Sequence, residues 1–442
     1  MNEKKTSLGR EYIKGATFGI MGMLGISIYI LADTFFIATG IGNEALASLN
    51  IAIPVYGLLT GMGLMLGIGG ATKFTILRAR GEHRVSKRIF TNTLILGGGF
   101  SLIMTLGGLF YAEEFTRFLG ADESIFQMTK TYLRTVLLFS SFFIMNNIFV
   151  AFVRNDNNPR IAMLGMVIGS FGNIVLDYIF IFPLQLGMLG AALATVTAPA
   201  VGLSLMIHYW LKHSRNLKLK MPTTFFKEWL DIIRLGSAAF ITDFSNGLVI
   251  LLFNLTILGI AGNIGVAAYG VVANMALVIV AVYIGIGQGI QPLISESFGK
   301  KREEDLKRIL RWTILLTLGM GALTYTGGVI FAPSIMDVFN SEGDPTMSRL
   351  GIEGIRVYFS AFLLMGINIT MGAFFAAVSL SKPSIRISLL RGVFLIIPLV
   401  FILPRWMEML GVWLVVPIVE LITVFVVIGY LRYYSKKVLQ QS

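Results

Sequence analysis

Gly67-Ile68-Gly69 and Gly285-Ile286-Gly287 are the same triplet, and each stands fourteen residues before a further glycine, Gly81 or Gly299. Reading outward, the first triplet follows Gly42-Asn43 and Ala47 and leads to Lys87-Arg88-Ile89. The second follows Gly262-Asn263 and Ala267 and leads to Lys307-Arg308-Ile309. From Gly-Asn to Lys-Arg-Ile is forty-five residues in both copies. A weaker echo links Ala151-Phe152 and Pro159-Arg160-Ile161 to Phe375-Ala376 and Pro383-Ser384-Ile385. The chain of 442 residues is a duplication, with halves of about 220 residues.

Both halves are too apolar for water. Hydrophobic residues make up 55% of the chain and charged residues 14%, with a mean hydropathy of +0.77. Runs of roughly twenty apolar residues recur, each long enough to cross a bilayer core of ~30 Å. Spans are expected near 12–38, 47–72, 89–112, 129–153, 160–182, 189–211, 231–260, 266–293, 308–332, 350–378, 384–403 and 411–434. The expected fold is an all-α integral membrane protein with twelve transmembrane helices in two pseudo-symmetric lobes of six. Residues 1–211 form the N-terminal lobe, 212–230 a polar linker running from Lys212 to beyond Pro222, and 231–442 the C-terminal lobe. The basic start (Lys4, Lys5, Arg10) precedes an apolar run too long for a signal peptide, with no small-residue cleavage site after it. There is no cysteine, which excludes disulfides and thiolate metal sites.

The net charge of +12 is a topology signal, not a nucleic-acid surface. Alternate loops gather the basic residues, among them Arg78, Arg80, Arg84, Lys87 and Arg88, then Arg154 and Arg160, then Lys212 to Lys227, then Lys300 to Arg311. The other loops hold most of the loop acids, including Glu113, Glu114, Asp122, Glu123, Asp337, Glu342 and Asp344. By the positive-inside rule both termini are cytoplasmic, in a multi-pass protein of the cytoplasmic membrane. A parallel duplication of membrane helices places a solute pathway between its halves in many secondary transporters.

Ionisable groups inside spans are costly, so each is a functional candidate. Asp33 lies in span 1 with Tyr29 one turn earlier, and Asp177 lies in span 5 with Asn173 one turn earlier. Both acids stand about five residues from the outer end, roughly 8 Å deep at 1.5 Å per residue. Thr195 falls at a similar depth in span 6. Two carboxylates at one level can share a proton or hold a dehydrated Na⁺, a hard cation suited to oxygen ligands. The bland alternative is that each acid snorkels or caps near the interface. Asp243 in span 7, with Asn246 three residues on, and Glu420 in span 12 are candidates for a substrate cavity. Arg391 is placed to pair with an acid or to face the interface, and Lys73 to snorkel at the inner end of span 2. No metal site is expected beyond Na⁺ at Asp33 and Asp177, because His83, His208 and His213 share no ligand spacing. Phe298-Gly299-Lys300 lacks the first glycine and the hydroxyl of a phosphate-binding loop, which excludes ATP bound by this chain as the power source.

Ala32-Asp33-Thr34-Phe35-Phe36-Ile37, followed by Gly42-Asn43-Glu44-Ala45-Leu46-Ala47, resembles the first-helix signature of the multidrug and toxic compound extrusion (MATE) family. Gly67-Ile68-Gly69-Gly70 through Arg78 and Gly81 is similar to its second-helix and loop signature. Gly265-Val266-Ala267-Ala268-Tyr269-Gly270 and Gly287-Gln288-Gly289-Ile290-Gln291-Pro292 resemble motifs of its bacterial branches. The resemblance covers nearly the whole chain. It implies a two-lobed, twelve-helix antiporter that exchanges H⁺ or Na⁺ for organic, mostly cationic compounds, with no cofactor beyond the coupling ion. It also places a cation site on Tyr29, Asp33, Asn173, Asp177 and Thr195. One position departs: the family's asparagine four residues before the arginine matched by Arg154 is Val150 here, and Asn147, one turn earlier, is the substitute.

The expectation is an ion-coupled exporter of small organic cations that works as a monomer in the lipid bilayer, with no nucleic-acid partner. A flippase for a lipid-linked precursor would favour a cavity ringed with arginines, where these spans hold more acids than arginines. An intramembrane enzyme would need a nucleophile–base or metal motif, and none is present. A non-transporting membrane receptor would show no solute flux.

Overall fold

The computed structural model describes residues 2–221, 226–340 and 343–439. Pro222 of the linker and Glu342 of the acidic loops lie outside them. The helices are α1 (Asn2–Gly40), α2 (Asn43–Ala79), α3 (His83–Phe110), α4 (Ala112–Phe118), α5 (Phe126–Leu138), α6 (Ser140–Asn155), α7 (Pro159–Ile181) and α8 (Gly187–Lys212). The second half contributes α9 (Phe226–Gly299), α10 (Glu303–Phe339), α11 (Pro345–Tyr358), α12 (Phe362–Ala377), α13 (Ser381–Leu389), α14 (Ile396–Ile402) and α15 (Pro404–Leu439).

The spans are assembled from these helices. α9 is two helices, spans 7 and 8, that meet at a kink at Gly262, whose φ of 60° with ψ of −156° only glycine adopts freely. Span 4 is not the single rod expected over 129–153. It bends by 49° between α5 and α6. Hydroxyls tie α3 to this bend: Thr105 of α3 donates to the Leu138 carbonyl at 3.3 Å, and Ser140 of α6 donates to the Ser101 carbonyl of α3 at 3.1 Å. Span 11 carries a π-turn over Leu390–Phe394 between α13 and α14.

Each lobe has its own core. Leu59, Phe74, Phe90, Phe152 and Met206 centre the first, and Tyr283, Phe362, Phe374 and Trp413 the second. Two helices lean across the boundary. Leu8, Tyr12 and Ala16 of α1 pack into the second core, and Ile232 of α9 packs into the first.

The duplicated glycines make that crossing possible. A methyl group on Gly285 would stand 2.7 Å from the Gly19 carbonyl, and one on Gly15 2.6 Å from that of Gly289. In the mirror contact, a methyl group on Gly69 would overlap Ile232, and one on Gly236 would overlap the Met65 backbone. Helix backbones touch only where side chains are this small. The Gly-Ile-Gly triplets therefore mark the seam between the lobes at the end of the bundle that carries the basic loops. The seam continues to Gly299, which lies against Ile76 and Ala79.

The linker is docked along part of its length. Trp210 Nε1 donates to the Leu217 carbonyl at 2.6 Å, and Ser214 and Asn216 each donate to Asp156 at 2.7 Å. Outside the spans at the opposite end, hydrogen bonds from Lys130 and Arg117 hold the Glu113 carboxyl below its ordinary range.

Candidate functional site

Glycines on α1 set the first part of the site. Gly22, Gly25 and Gly40 let α1 lie along α7, against Met166, Val167 and Phe182. On the other flank of α7, Gly165 and Gly169 admit α8 through Gly202 and Ala198. This packing brings Asp33 to Asp177. Both are buried, at 7% and 0% exposure, and their carboxyls lie close enough to interact. Two ionised carboxylates have no donor to offer each other, so the contact calls for a proton or a cation. Asp33 Oδ1, both Asp177 oxygens and both polar side-chain atoms of Asn173 are buried with no hydrogen-bond partner among the described residues. Unsatisfied buried groups are destabilising by about 1–3 kcal/mol each, so these five atoms are the candidates for holding an ion.

Other expected residues surround this pair to different degrees. Thr195 accepts a hydrogen bond from Tyr132 at 3.4 Å, and Tyr132 stands beside both acids. Tyr132 is a member of the cluster that sequence alone gave no reason to choose. Tyr29 shares a 2.6 Å hydrogen bond with Tyr56. Asn147 donates to the Phe143 carbonyl of its own helix at 3.0 Å and faces the central cavity with Val150; no contact ties it to the acids.

The central cavity lies between the lobes, above the glycine seam. One arm, of about 1060 Å³, reaches into the first lobe past Tyr29, Tyr56 and Asn147. The other, of about 910 Å³, reaches into the second past Asn246 and Asn368. Asp243 and Arg154 line both. Asp243 accepts a hydrogen bond from Thr60 of the opposite lobe at 2.6 Å. Glu420 is elsewhere. It lines an adjoining cavity of about 620 Å³ beside Asn246, where Arg391 holds it at 2.6 Å and Asn368 donates to it at 2.6 Å. Its charge is matched internally, so it is not the free cation attractor that a lone acid would be.

Arg154 corrects the loop assignment. It belongs to α6, is 6% exposed, and donates to Gln288 Oε1 of the other lobe at 2.9 Å. Asn155 next to it donates to Gln291 at 2.8 Å, and Gln291 donates to Thr72 at 2.7 Å. Thr75 closes the network by donating to Asn155 at 2.7 Å. Lys73 also departs from expectation. It bridges the lobes to Asp231 at 2.5 Å and does not run out to the interface. Arg88 to Glu228 at 2.5 Å is a further link across the same boundary. The cavity floor is thus a polar layer that ties the two halves at the basic end. Among the described residues no three His, Cys, Asp or Glu side chains group as a metal site.

The MatE family model matches residues 19–179 and 239–402, one match in each half of the duplication. The chain is 27% identical over 408 residues to the multidrug export protein MepA of Staphylococcus aureus strain MRSA252, covering 89% of this chain and 86% of that one. It is also 27% identical over 403 residues to MepA of Staphylococcus saprophyticus, with the same coverage. Among solved structures, a MATE protein in complex with MaL6 superposes with a TM-score of 0.91 at 22% identity, over 98% of this chain and 97% of that one. An outward-facing multidrug resistance MATE family transporter of the MOP superfamily gives 0.91 at 20% identity, over 97% and 96%. The likeness is that of the whole twelve-helix, two-lobed fold.

Proposed function

This chain belongs to the MatE family, and we propose that it is an ion-coupled antiporter that exports small organic, chiefly cationic, compounds of the multidrug type. It is a membrane transporter and not an enzyme. The observation that carries the coupling is the buried contact between Asp33 and Asp177, with Asn173 unsatisfied beside them. Carboxylate, amide and hydroxyl oxygens are the donors a proton or Na⁺ would use, and the site needs no other cofactor. The cavity supports the second half of the reading. It holds an acid, Asp243, between lobes that meet at the basic end.

With the basic loops cytoplasmic, the seam and its polar floor close the inner side, and the cavity belongs to an outward-open state. An ion drives such a cycle only by binding one state more tightly than the other. The MepA relatives, multidrug export proteins by name, support the same direction of transport. The lobes as proposed are residues 1–211 and 231–442, and the working unit is a monomer. A flippase for a lipid-linked precursor is less well supported, since the cavity's arginines are Arg154 and an Arg391 already paired with Glu420.

Flux in proteoliposomes under imposed H⁺ or Na⁺ gradients tests the reading. Efflux of an organic cation should follow one of the two gradients and stop when that gradient is collapsed. Efflux indifferent to both would sink the coupling, and no flux at all would favour a receptor.

A further inference from the structure

Thr91 is the junction between α3 and the linker. Its hydroxyl donates to the Lys87 carbonyl at 3.2 Å and accepts the Lys220 backbone N–H at 2.9 Å. One side chain thus sets Lys87 of α3 beside Lys220 of the linker. Arg84 lies one turn before Lys87 on the same face of α3, and Lys218 stands two residues before Lys220. None of these four cations forms an ion pair among the described residues. The acid that α3 does meet, Glu228, is taken by Arg88 and Asn92. Between Lys212 and Lys227 the sequence has no acid at all.

The junction sits where the apolar face of α3 begins. Thr91 is eight residues into the helix, roughly 12 Å from its start at 1.5 Å per residue. One turn further on, Ile95 is exposed, and Leu102 and Leu106 follow it. In a membrane such side chains face lipid. The linker reaches this level as an alternating stretch, apolar at Leu217, Leu219 and Met221 and basic at Lys218 and Lys220. Leu217 is buried in the first core, but Leu219 and Met221 are 59% and 85% exposed. A linker lying in water would leave both uncovered. At the bilayer surface they are covered, and the lysine stems can lie along the apolar boundary while the ammonium groups reach phosphate.

We propose that this edge of the first lobe, Arg84 and Lys87 of α3 with Lys218 and Lys220 of the linker, binds the headgroup of an anionic phospholipid, with Leu219 and Met221 seated at the acyl-chain boundary. A zwitterionic headgroup brings its own cation to the phosphate and leaves the cluster without a counter-charge. An anionic headgroup supplies the negative charge that the protein withholds, as leaflets rich in such lipids do for basic segments beside a membrane. The inference goes beyond the export reading. It needs only that this edge lies at the bilayer surface, and it holds whatever the cavity carries.

The chain has no cysteine, so Met221→Cys can carry a single bimane fluorophore. The full chain is placed in nanodiscs of phosphatidylcholine with a minority of phosphatidylglycerol, and brominated acyl chains are put on one lipid or the other at equal mole fraction. Bromine on phosphatidylglycerol should quench about twice as strongly as bromine on phosphatidylcholine, because the anionic lipid is enriched beside the label. The same label at Leu102→Cys, on the lipid face of α3, should show no preference. High salt should remove the preference at residue 221 by screening, and so should the combined substitution of Arg84→Gln, Lys87→Gln, Lys218→Gln and Lys220→Gln. Excess soluble glycerophosphoglycerol at constant ionic strength should leave it in place, since the lipid is also held by its chains. Equal quenching by the two lipids at residue 221 overturns the proposal without recourse to any charge variant. No quenching by either, which would put the linker in water, does the same. A preference that survives high salt or the fourfold substitution also overturns it, and loss of the preference to the soluble headgroup would make the cluster a site for free anions instead of lipid.

Discussion

Gly285 lies against the backbone of Gly19, so close that a methyl group on the first would stand 2.7 Å from the carbonyl oxygen of the second. The obstacle on each side is helix backbone, which cannot swing away as a side chain can. Gly285→Ala should therefore push the lobes apart at the basic end. Overpacking of this kind destabilises by about 1–3 kcal/mol, so thermal unfolding should begin at a lower temperature. Gly172→Ala serves as the control, since its added methyl would meet nothing within 4 Å. Equal melting of both variants would show that the seam is not as tight as described.

The same seam predicts motion. If it is the closed side of a rocking pair, Arg84→Cys and Lys307→Cys, carrying nitroxide labels, should change separation when a gradient is imposed. The chain has no cysteine of its own, so the labels are unambiguous. The docked linker sharpens the expectation. Asp156 holds Ser214 and Asn216 to the first lobe, and Thr91 accepts from the Lys220 backbone N–H, so the linker should travel with the first lobe as far as Lys220. A distance distribution that ignores the gradient would argue for a fixed bundle.

Much of this architecture was legible from the duplicated glycines and the apolar runs, because the bilayer allows so few solutions. The pairing of Asp33 with Asp177 could be anticipated from shared depth alone. Three features could not. The bend at Phe139 is tied to α3 by Thr105, which donates to the Leu138 carbonyl, and by Ser140, which donates to the Ser101 carbonyl, a tertiary effect with no proline or glycine at the break. Tyr132 is one aromatic among many until helix packing sets it beside the acids. Arg154 reads as a loop residue because a basic residue at a helix end normally reaches the interface, yet here Gln288 of α9 and Met166 of α7 meet it. Gln288 and Gln291, polar residues inside a span, were the available hint that something buried needed them.

Arg391 and Glu420 make a prediction about stability. Glu420 is 2% exposed and accepts from Arg391 and Asn368. Removing one charge strands the other, which costs about 3–5 kcal/mol for buried pairs. Arg391→Met and Glu420→Leu should each lower the melting temperature in detergent clearly, and the double substitution should lower it less than their sum. Simple additivity would mean that the pair is not coupled and that each residue packs on its own account.

Asp243→Asn tests the cavity. Asp243 is held by Thr60 across the lobes, and asparagine can keep that hydrogen bond while losing the charge. Binding of a cationic dye should weaken about tenfold or more, and binding of a neutral dye of the same shape should change little. The difference follows from attraction at low dielectric, where a single charge acts more strongly than it would in water. Parallel loss of both dyes would assign Asp243 to structure.

Asp33→Asn and Asp177→Asn should each abolish gradient-driven export while leaving the protein folded in the membrane. Asparagine matches the carboxylate in volume and brings a donor, so each variant relieves the unsatisfied contact between the two acids and should melt no lower than the wild type. What it removes is the difference in ion affinity between states, and with it the drive. Asp177 should matter more, because both its oxygens and both polar atoms of Asn173 are unsatisfied in the same place. The ion itself is identified by linkage. If the pair holds Na⁺, added Na⁺ at fixed pH should raise the melting temperature of the wild type and of neither variant. If it holds a proton, melting should respond to pH in the wild type, and that response should vanish in both variants. Tyr132→Phe, which removes the donor to Thr195, should weaken coupling without abolishing it. Export at the wild-type rate by Asp33→Asn and Asp177→Asn, under a measured gradient, would remove the coupling site from this pair.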